Sequence, residues 1–209
     1  MSSSTLPIDD TRRRKVRALL AGGLVLGVGA AVTLAAWNDS EFAAGTFAAG
    51  SFNLEGSTTS AADGYADHAS ADGAADLEFV LADVAANLSP DDVVYAPFWV
   101  RLDAGTTSPA TMVGSAVTAD GDNAANLSYE VLAIDAAATC DETATGETVA
   151  SGATLTDFTA GSEVALPIGD GAAGAPVQLC FVVTAGADLV QGGTATATWQ
   201  FDATSVDEA

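Results

Sequence analysis

Three oxygen-bearing side chains lie within four residues of one another, in the sequence Asp120-Gly-Asp122-Asn123. Hard cations such as Ca²⁺ prefer carboxylate and carbonyl oxygens, so Asp120, Asp122 and Asn123 are the candidate metal ligands. The segment does not match the EF-hand loop, because its sixth and twelfth positions hold Ala125 and Val131 instead of Gly and Glu. The alternative is an ordinary polar turn, and no other cofactor is predicted.

Histidine chemistry depends on one residue, because His68 is the only histidine of the chain. A zinc peptidase of the His-Glu-x-x-His type needs two histidines one helical turn apart. A Ser-His-Asp triad would also have to use His68, and no Gly-x-Ser-x-Gly elbow accompanies it. We therefore interpret His68 as a solvated loop residue, assign no catalytic residue and predict that the protein is not an enzyme.

The two cysteines, Cys140 and Cys180, are the smallest number that can form one bridge. In an oxidising compartment they would close a loop of about 41 residues, worth about 4 kcal/mol in the chain-entropy model. Two buried free thiols or a metal pair are the alternatives, but zinc needs four ligands and the chain has one histidine. We predict a Cys140–Cys180 disulfide.

Charge is distributed very unevenly along the 209 residues, which hold 28 acids and 6 bases and have a formal net charge of -22. Five bases lie between Arg12 and Arg17, and Arg101 is the sixth. Nucleic-acid binding is excluded, because phosphate contacts need clustered Lys and Arg. So acidic a surface keeps copies of the chain apart unless cations screen it.

Strand signals recur at short intervals after residue 37, with Gly, Asp, Asn and Pro between them. Helical periodicity is hard to find there, so we predict an all-β fold, an antiparallel sandwich of at least seven strands. Residues 56–75 are Ala, Ser, Asp and Gly-rich and predict a mobile loop, and residues 204–209 predict a disordered tail. The predicted strands are 46–54, 77–81, 93–102, 112–118, 127–134, 177–184 and 194–202.

The N-terminal residues have the order typical of an export signal. Basic residues between Arg12 and Arg17 precede an apolar run from Ala18 that ends in the small residues Ala35 and Ala36. We predict a signal helix and assign residues 1–36 to a signal peptide that is removed. The alternative is an uncleaved anchor, which would be the protein's only contact with a membrane.

A five-residue repeat follows directly, Phe42-Ala-Ala-Gly-Thr46 and then Phe47-Ala-Ala-Gly-Ser51, with Phe52 after it. One interpretation is an ordinary first strand. The other is a strand that adds to the open sheet edge of another molecule, where backbone bonds give affinity and pockets for alternate side chains give specificity. The candidate donor residues are Thr46, Phe47, Ser51, Phe52 and Leu54.

The segments Leu34-Ala-Ala-Trp-Asn-Asp-Ser40 and Thr46-Phe-Ala-Ala-Gly-Ser-Phe-Asn-Leu54 resemble the start of exported proteins of the TasA and camelysin group, of an actinobacterial type. The turn at residues 87–92 and the late strand with Trp199 and Phe201 fit the same order. The resemblance implies a jelly-roll-like sandwich and cleavage between Ala36 and Trp37 by a SipW-type signal peptidase. It also implies matrix fibres, as in biofilms, built by insertion of the N-terminal strand into the next subunit.

These observations together predict a secreted, extracellular β-sandwich domain at residues 37–203 with a structural or surface role. Assembly into matrix fibres by N-terminal donor-strand exchange is the expected mechanism. The alternative from another class is a monomeric secreted binding module, with Ca²⁺ as a candidate ligand. A camelysin-like peptidase is the remaining alternative, and His68 would have to support any histidine mechanism in it.

Overall fold

The computed structural model describes residues 10–32, 49–80 and 82–206. The chain divides into two units, Met1–Phe47 and Ala48–Ala209. In the first unit, α1 spans Asp10–Val32 and is rich in Ala, Leu and Val. This confirms the helix expected near the N-terminus, while its role as an export signal stays a prediction. No helix within the described residues is long and apolar enough to cross a membrane.

Ten further elements make up the second unit. Two 3-10 turns, Ala71–Gly73 and Ala124–Asn126, lie between them. In chain order the elements are β1 (Leu54–Ser57), α2 (Ala82–Ala85), β2 (Val93–Leu102), β3 (Ala110–Asp120), β4 (Leu127–Ile134), β5 (Glu147–Gly152), β6 (Thr159–Ala160), β7 (Val164–Leu166), β8 (Val177–Ala185) and β9 (Thr196–Ser205).

The strands form two sheets, and every strand pair is antiparallel. One sheet has six strands in the order β1-β2-β8-β4-β5-β6, and the other has three in the order β7-β3-β9. The chain crosses repeatedly from one sheet to the other, as it does between β2 and β3 and again between β8 and β9. The expected all-β antiparallel sandwich is confirmed.

Alternation along the strands places one row of side chains in the core between the sheets. In β2 the buried residues are Val94, Ala96, Val100 and Leu102, while the residues between them are partly exposed. Central strand β8 is buried on both faces over much of its length, which explains its unbroken apolar sequence. β9 turns Trp199 towards the same core.

The disulfide prediction is confirmed, since Cys140 and Cys180 are bonded with their Cα atoms 5.3 Å apart. The bond ties the β4–β5 connection to the outer face of β8, where Ile134 is buried against it. The Trp99 indole N–H donates to Ala136 O (2.9 Å) and holds the same connection against β2. The large sheet therefore has a second, smaller apolar cluster outside the sandwich.

The structure corrects the strand predictions at three places. Residues 49–53 are not in a strand, and the first strand is only Leu54–Ser57. Of the predicted 77–81 strand, the described residues 77–80 form one isolated bridge, between Val80 and Tyr95, and α2 begins at Ala82. Strands β5 to β7 were not predicted from the sequence, since they are only two to six residues long and β5 contains Thr, Ser and Gly.

The segment expected to be a mobile loop, residues 56–75, begins inside β1. Gly56 exchanges two backbone hydrogen bonds with Ala66 (3.0 and 2.9 Å), and the Ser57 hydroxyl donates to Asp63 O (2.6 Å). The expected disordered tail also begins too early, because Thr204 and Ser205 belong to β9 and pair with β3. Mobility of the loop stays a prediction, and residues 207–209 lie outside the described residues.

Candidate functional site

The two sheets differ in width, and this difference creates the most distinctive surface of the molecule. Three strands cannot cover the inner face of six. On one side β3 contacts β5 and β6, so the sandwich is closed there. On the other side two cavities lie beside β9, lined by residues of β1 and β2 and by residues of the 68–71 and 74–79 segments.

Strand β9 is one of the two edge strands of the small sheet, and the other is the three-residue β7. The N–H and C=O groups of alternate residues in an antiparallel ladder point to the same side. Val206 N–H donates to Pro109 O (2.8 Å) and Ser115 Oγ donates to Gln200 O (3.2 Å), so even-numbered residues of β9 face β3. Among the described residues, no backbone group pairs with the side of β9 that faces away from β3. The outward-facing amides belong to Ala197, Trp199, Phe201 and Ala203.

This edge lacks several of the features that usually protect a free strand. Lysine, proline and inward-pointing charges are the common ones, and short edge strands are another. β9 is ten residues long, contains neither lysine nor proline, and has Asp202 as its one charged residue. Ten residues extend over about 33 Å, long enough to pair with a complete second strand.

Two adjoining cavities lie beside β9, and we call them together the β9 groove. The first has a volume of about 440 Å³ and lies between β9 and a wall that includes residues 74–77, Phe79, Ala85 and Leu88, and the second, of about 520 Å³, lies between β9 and residues 52–56. They share Phe98, Thr198 and Phe201, so they adjoin. Apolar and aromatic side chains border most of the first cavity, and the second has a mixed apolar and polar border.

The floor of the groove is a cluster of aromatic rings that joins the two sheets. Trp199 lies edge-on to Phe181 and Tyr129, with ring centroids 5.0 and 5.5 Å apart, and Phe201 lies 6.0 Å from Phe181. Tyr129 donates its hydroxyl to Asp157 O (3.0 Å). Burial raises the pKa of this hydroxyl, and the Trp199 indole opposes the rise. The cluster fixes the position of β9.

Residues 68–71 and residues 52–56 form the wall of the second cavity that lies across from β9. His68 lies 6.3 Å from the Phe98 ring, and its Nδ1 is 3.0 Å from Gly73 O. Its side chain is exposed, in agreement with the expected solvated loop residue. Phe52 is 41% exposed and lines the second cavity, so an apolar ring remains accessible there.

Arg101, the only base after Arg17, is fully engaged in a local cluster. Its Nε lies 2.5 Å from Glu55 Oε1, and its guanidinium carbon stands 3.6 Å above the Tyr65 ring. Burial raises the pKa of Tyr65, while the positive charge of Arg101 opposes this and Glu55 adds to it. The cluster holds residue 65 against β1 and β2, and among the described residues Glu55 is the one acid at the groove that forms an ion pair.

The candidate cation ligands lie at the end of β3, but they do not act together. Asp120 and Asp122 are exposed, whereas Asn123 is buried. The Asn123 Oδ1 accepts hydrogen bonds from Val190 N (2.7 Å) and Asn126 Nδ2 (3.3 Å). Its lone pairs are thus already used inside the protein. Among the described residues, no group of three or more His, Cys, Asp or Glu side chains is placed to hold a metal ion.

The candidate donor residues are divided by the structure. Ser51 and Leu54 contact their own molecule: Ser51 O accepts from Thr107 N (3.0 Å), and Leu54 pairs with Leu102. Phe52 lies between them and lines the groove from its own side. Donation of these three residues to another copy would break contacts that the monomer already makes. Thr46 and Phe47, together with the cleavage residues Ala36 and Trp37, lie outside the described residues.

The groove itself was missed at the level of sequence. Strict alternation in residues 194–202 correctly indicated that Trp199 and Phe201 face the core, but it did not indicate that β9 is an edge. The signal that was present is a strand without Lys or Pro and with one charge. No protein-family model matches the chain, and no curated protein sequence matches it.

Proposed function

We propose that this protein is an extracellular structural subunit that joins copies of itself by adding a strand to the free edge of β9. The observation that carries the proposal is this ten-residue edge, free of lysine and proline, beside an aromatic-floored groove. Strand addition would give the small sheet a fourth strand and cover the apolar surface of the groove. The Cys140–Cys180 disulfide supports a location in an oxidising compartment.

The occupant is the N-terminal segment of a second copy, residues 37–48. These residues precede the point at which the chain joins its own sheet, and twelve extended residues span about 40 Å, enough to follow β9. The segment contains Phe42 and Phe47 among small residues, so rings can enter the groove while the backbone approaches the edge closely. Removal of residues 1–36 would free this segment, in agreement with the expected cut before Trp37.

The experiment uses the chain that begins at Trp37 and follows its assembly by light scattering and electron microscopy. Ala203→Pro removes an outward-facing N–H without touching the β3 ladder, and Ala203→Ser is the matched control that keeps the N–H. We expect Ala203→Pro to abolish fibres and Ala203→Ser to form them. Ala197→Pro provides a second test of the edge, and circular dichroism verifies that each variant is folded.

Mixing two defective copies makes the test specific. A donor-defective copy (Phe42→Ser with Phe47→Ser) and an acceptor-defective copy (Ala203→Pro) should each stay monomeric. Together they should form a heterodimer that cannot grow, because one intact donor meets one intact edge. Wild-type chains that stay monomeric under all conditions, or folded edge variants that still form fibres, would refute the proposal and leave the monomeric binding module as the better description.

A further inference from the structure

The acidic residues around the β9 groove bear on how assembly is controlled. Asp76 lines the first cavity, and Asp202 and Glu55 line the second. Glu55 is neutralised by Arg101, but Asp76 and Asp202 form no ion pair among the described residues. The edge that offers backbone groups to another chain therefore has uncompensated negative charge at both of its cavities.

The incoming segment is negative as well. Residues 37–48 contain Asp39 and Glu41 and no basic side chain, so they stay net negative even with the positive α-amino group that a cut before Trp37 creates. Removing Asp9 and Asp10 from the 28 acids leaves 26 from Trp37 onward, against the single base Arg101. Strand addition thus brings like charges together locally, at the groove, and globally, between two highly acidic bodies. Most protein interfaces are steered by opposite charges and weaken in salt, whereas this interface has the reverse arrangement.

We propose that ionic strength controls strand addition at β9: the edge is electrostatically closed at low salt and is opened by ionic screening. The proposal rests on the proposed function and adds its regulation. Screening is effective here because the charges are exposed, and the Debye length falls from about 10 Å at 0.1 M salt to about 3 Å at 1 M. Backbone hydrogen bonds and apolar burial depend much less on salt, so they dominate once repulsion is screened.

The test measures the association constant of the chain from Trp37 by sedimentation across this range of NaCl. We expect it to rise roughly tenfold or more between about 0.1 M and 1 M NaCl. The edge variant Asp76→Asn with Asp202→Asn should associate at lower salt than the wild type. The control variant Glu142→Gln with Glu163→Gln removes the same number of charges at exposed positions that line neither cavity. It should shift the salt dependence much less.

Each outcome separates this inference from the function on which it rests. Assembly that is independent of salt, or is weakened by it, but is still abolished by Ala203→Pro, overturns the inference and leaves the function standing. An equal shift in the edge and control variants overturns it too, because net charge alone would then suffice. Assembly by Ca²⁺ at matched ionic strength where NaCl fails would show a bound ion instead of screening. Salt-driven assembly that persists in folded Ala203→Pro would refute strand addition itself.

Discussion

Trp199 in β9 packs edge-on against Phe181 in β8, with ring centroids 5.0 Å apart, and this contact joins the narrow sheet to the centre of the wide one. It lies at the floor of the β9 groove, so the same rings that stabilise the sandwich shape the surface where another strand would add. Stability and assembly therefore depend on a shared set of side chains, and separating them requires variants at different depths in the groove.

Truncation of the aromatic floor should cost much more stability than truncation of its rim. Trp199→Ala removes contacts with Phe181 and Tyr129, and we expect the free energy of unfolding to fall by about 3 kcal/mol. Phe52→Ala removes a ring that is 41% exposed and should cost less than about 1 kcal/mol. Urea denaturation of the monomer at low concentration measures both, and equal losses would show that Trp199 does not anchor β9.

The disulfide should stabilise the sandwich mainly by restricting the unfolded chain. Cys140→Ala with Cys180→Ala opens a loop closed over a sequence separation of 40 residues. The chain-entropy model then predicts a loss of about 4 kcal/mol, measured by guanidinium unfolding. Reductant in the denaturant should lower the stability of the wild type to a similar extent and leave the double variant unchanged. A fully reduced wild type with undiminished stability would contradict this.

Asn123 should behave as a structural residue and not as a metal ligand. Its Nδ2 donates to Val190 O (3.1 Å) and Gly193 O (3.0 Å), which pins the β8–β9 connection beside the start of β9. Asn123→Ala removes these hydrogen bonds from a buried side-chain position, and we expect a loss of about 2 kcal/mol without added metal. Exposed Asp122→Asn is the matched control and should change stability by less than about 0.5 kcal/mol. A loss that appears only when Ca²⁺ is present would restore the cation interpretation.

Alkaline pH should destabilise the fold through Tyr129. Burial raises the pKa of its hydroxyl above the ordinary 10.0, so the folded state disfavours the phenolate. The contribution of Tyr129 to stability is therefore fully present below pH 10.0 and is lost as the pH rises through its folded-state pKa. Tyr129→Phe should lose about 1 kcal/mol at neutral pH, because the bond to Asp157 O is gone.

The stability of Tyr129→Phe should nonetheless fall less steeply with rising pH than that of the wild type. Tyr65, whose pKa burial also raises, accounts for part of the remaining decline. Tyr65→Phe with Tyr129→Phe should be flatter still. Thermal melts from pH 7 to 11 measure this, and parallel declines in wild type and both variants would contradict the assignment.

The strand content and the disulfide bond were determined by the sequence itself. Continuous or alternating apolar residues placed β2 and β4 correctly at Val93–Leu102 and Leu127–Ile134, because burial of one face imposes that spacing on any strand. The pairing of Cys140 with Cys180 followed from there being only two cysteines. The acidity that is expected to keep copies apart is likewise a property of composition.

Only the tertiary structure decided where the sheets end and what lies beside their edges. Residues 68–73 and Phe52 reach the groove through contacts with strands far away in sequence, and no local pattern encodes such contacts. Asn123 changed from candidate ligand to structural anchor because Val190 folds back onto it, 67 residues along the chain. An edge strand and a central strand share the same alternation, since alternation reports the buried face and not whether a neighbour fills the hydrogen-bonding side. The free edge of β9 follows from sheet order alone.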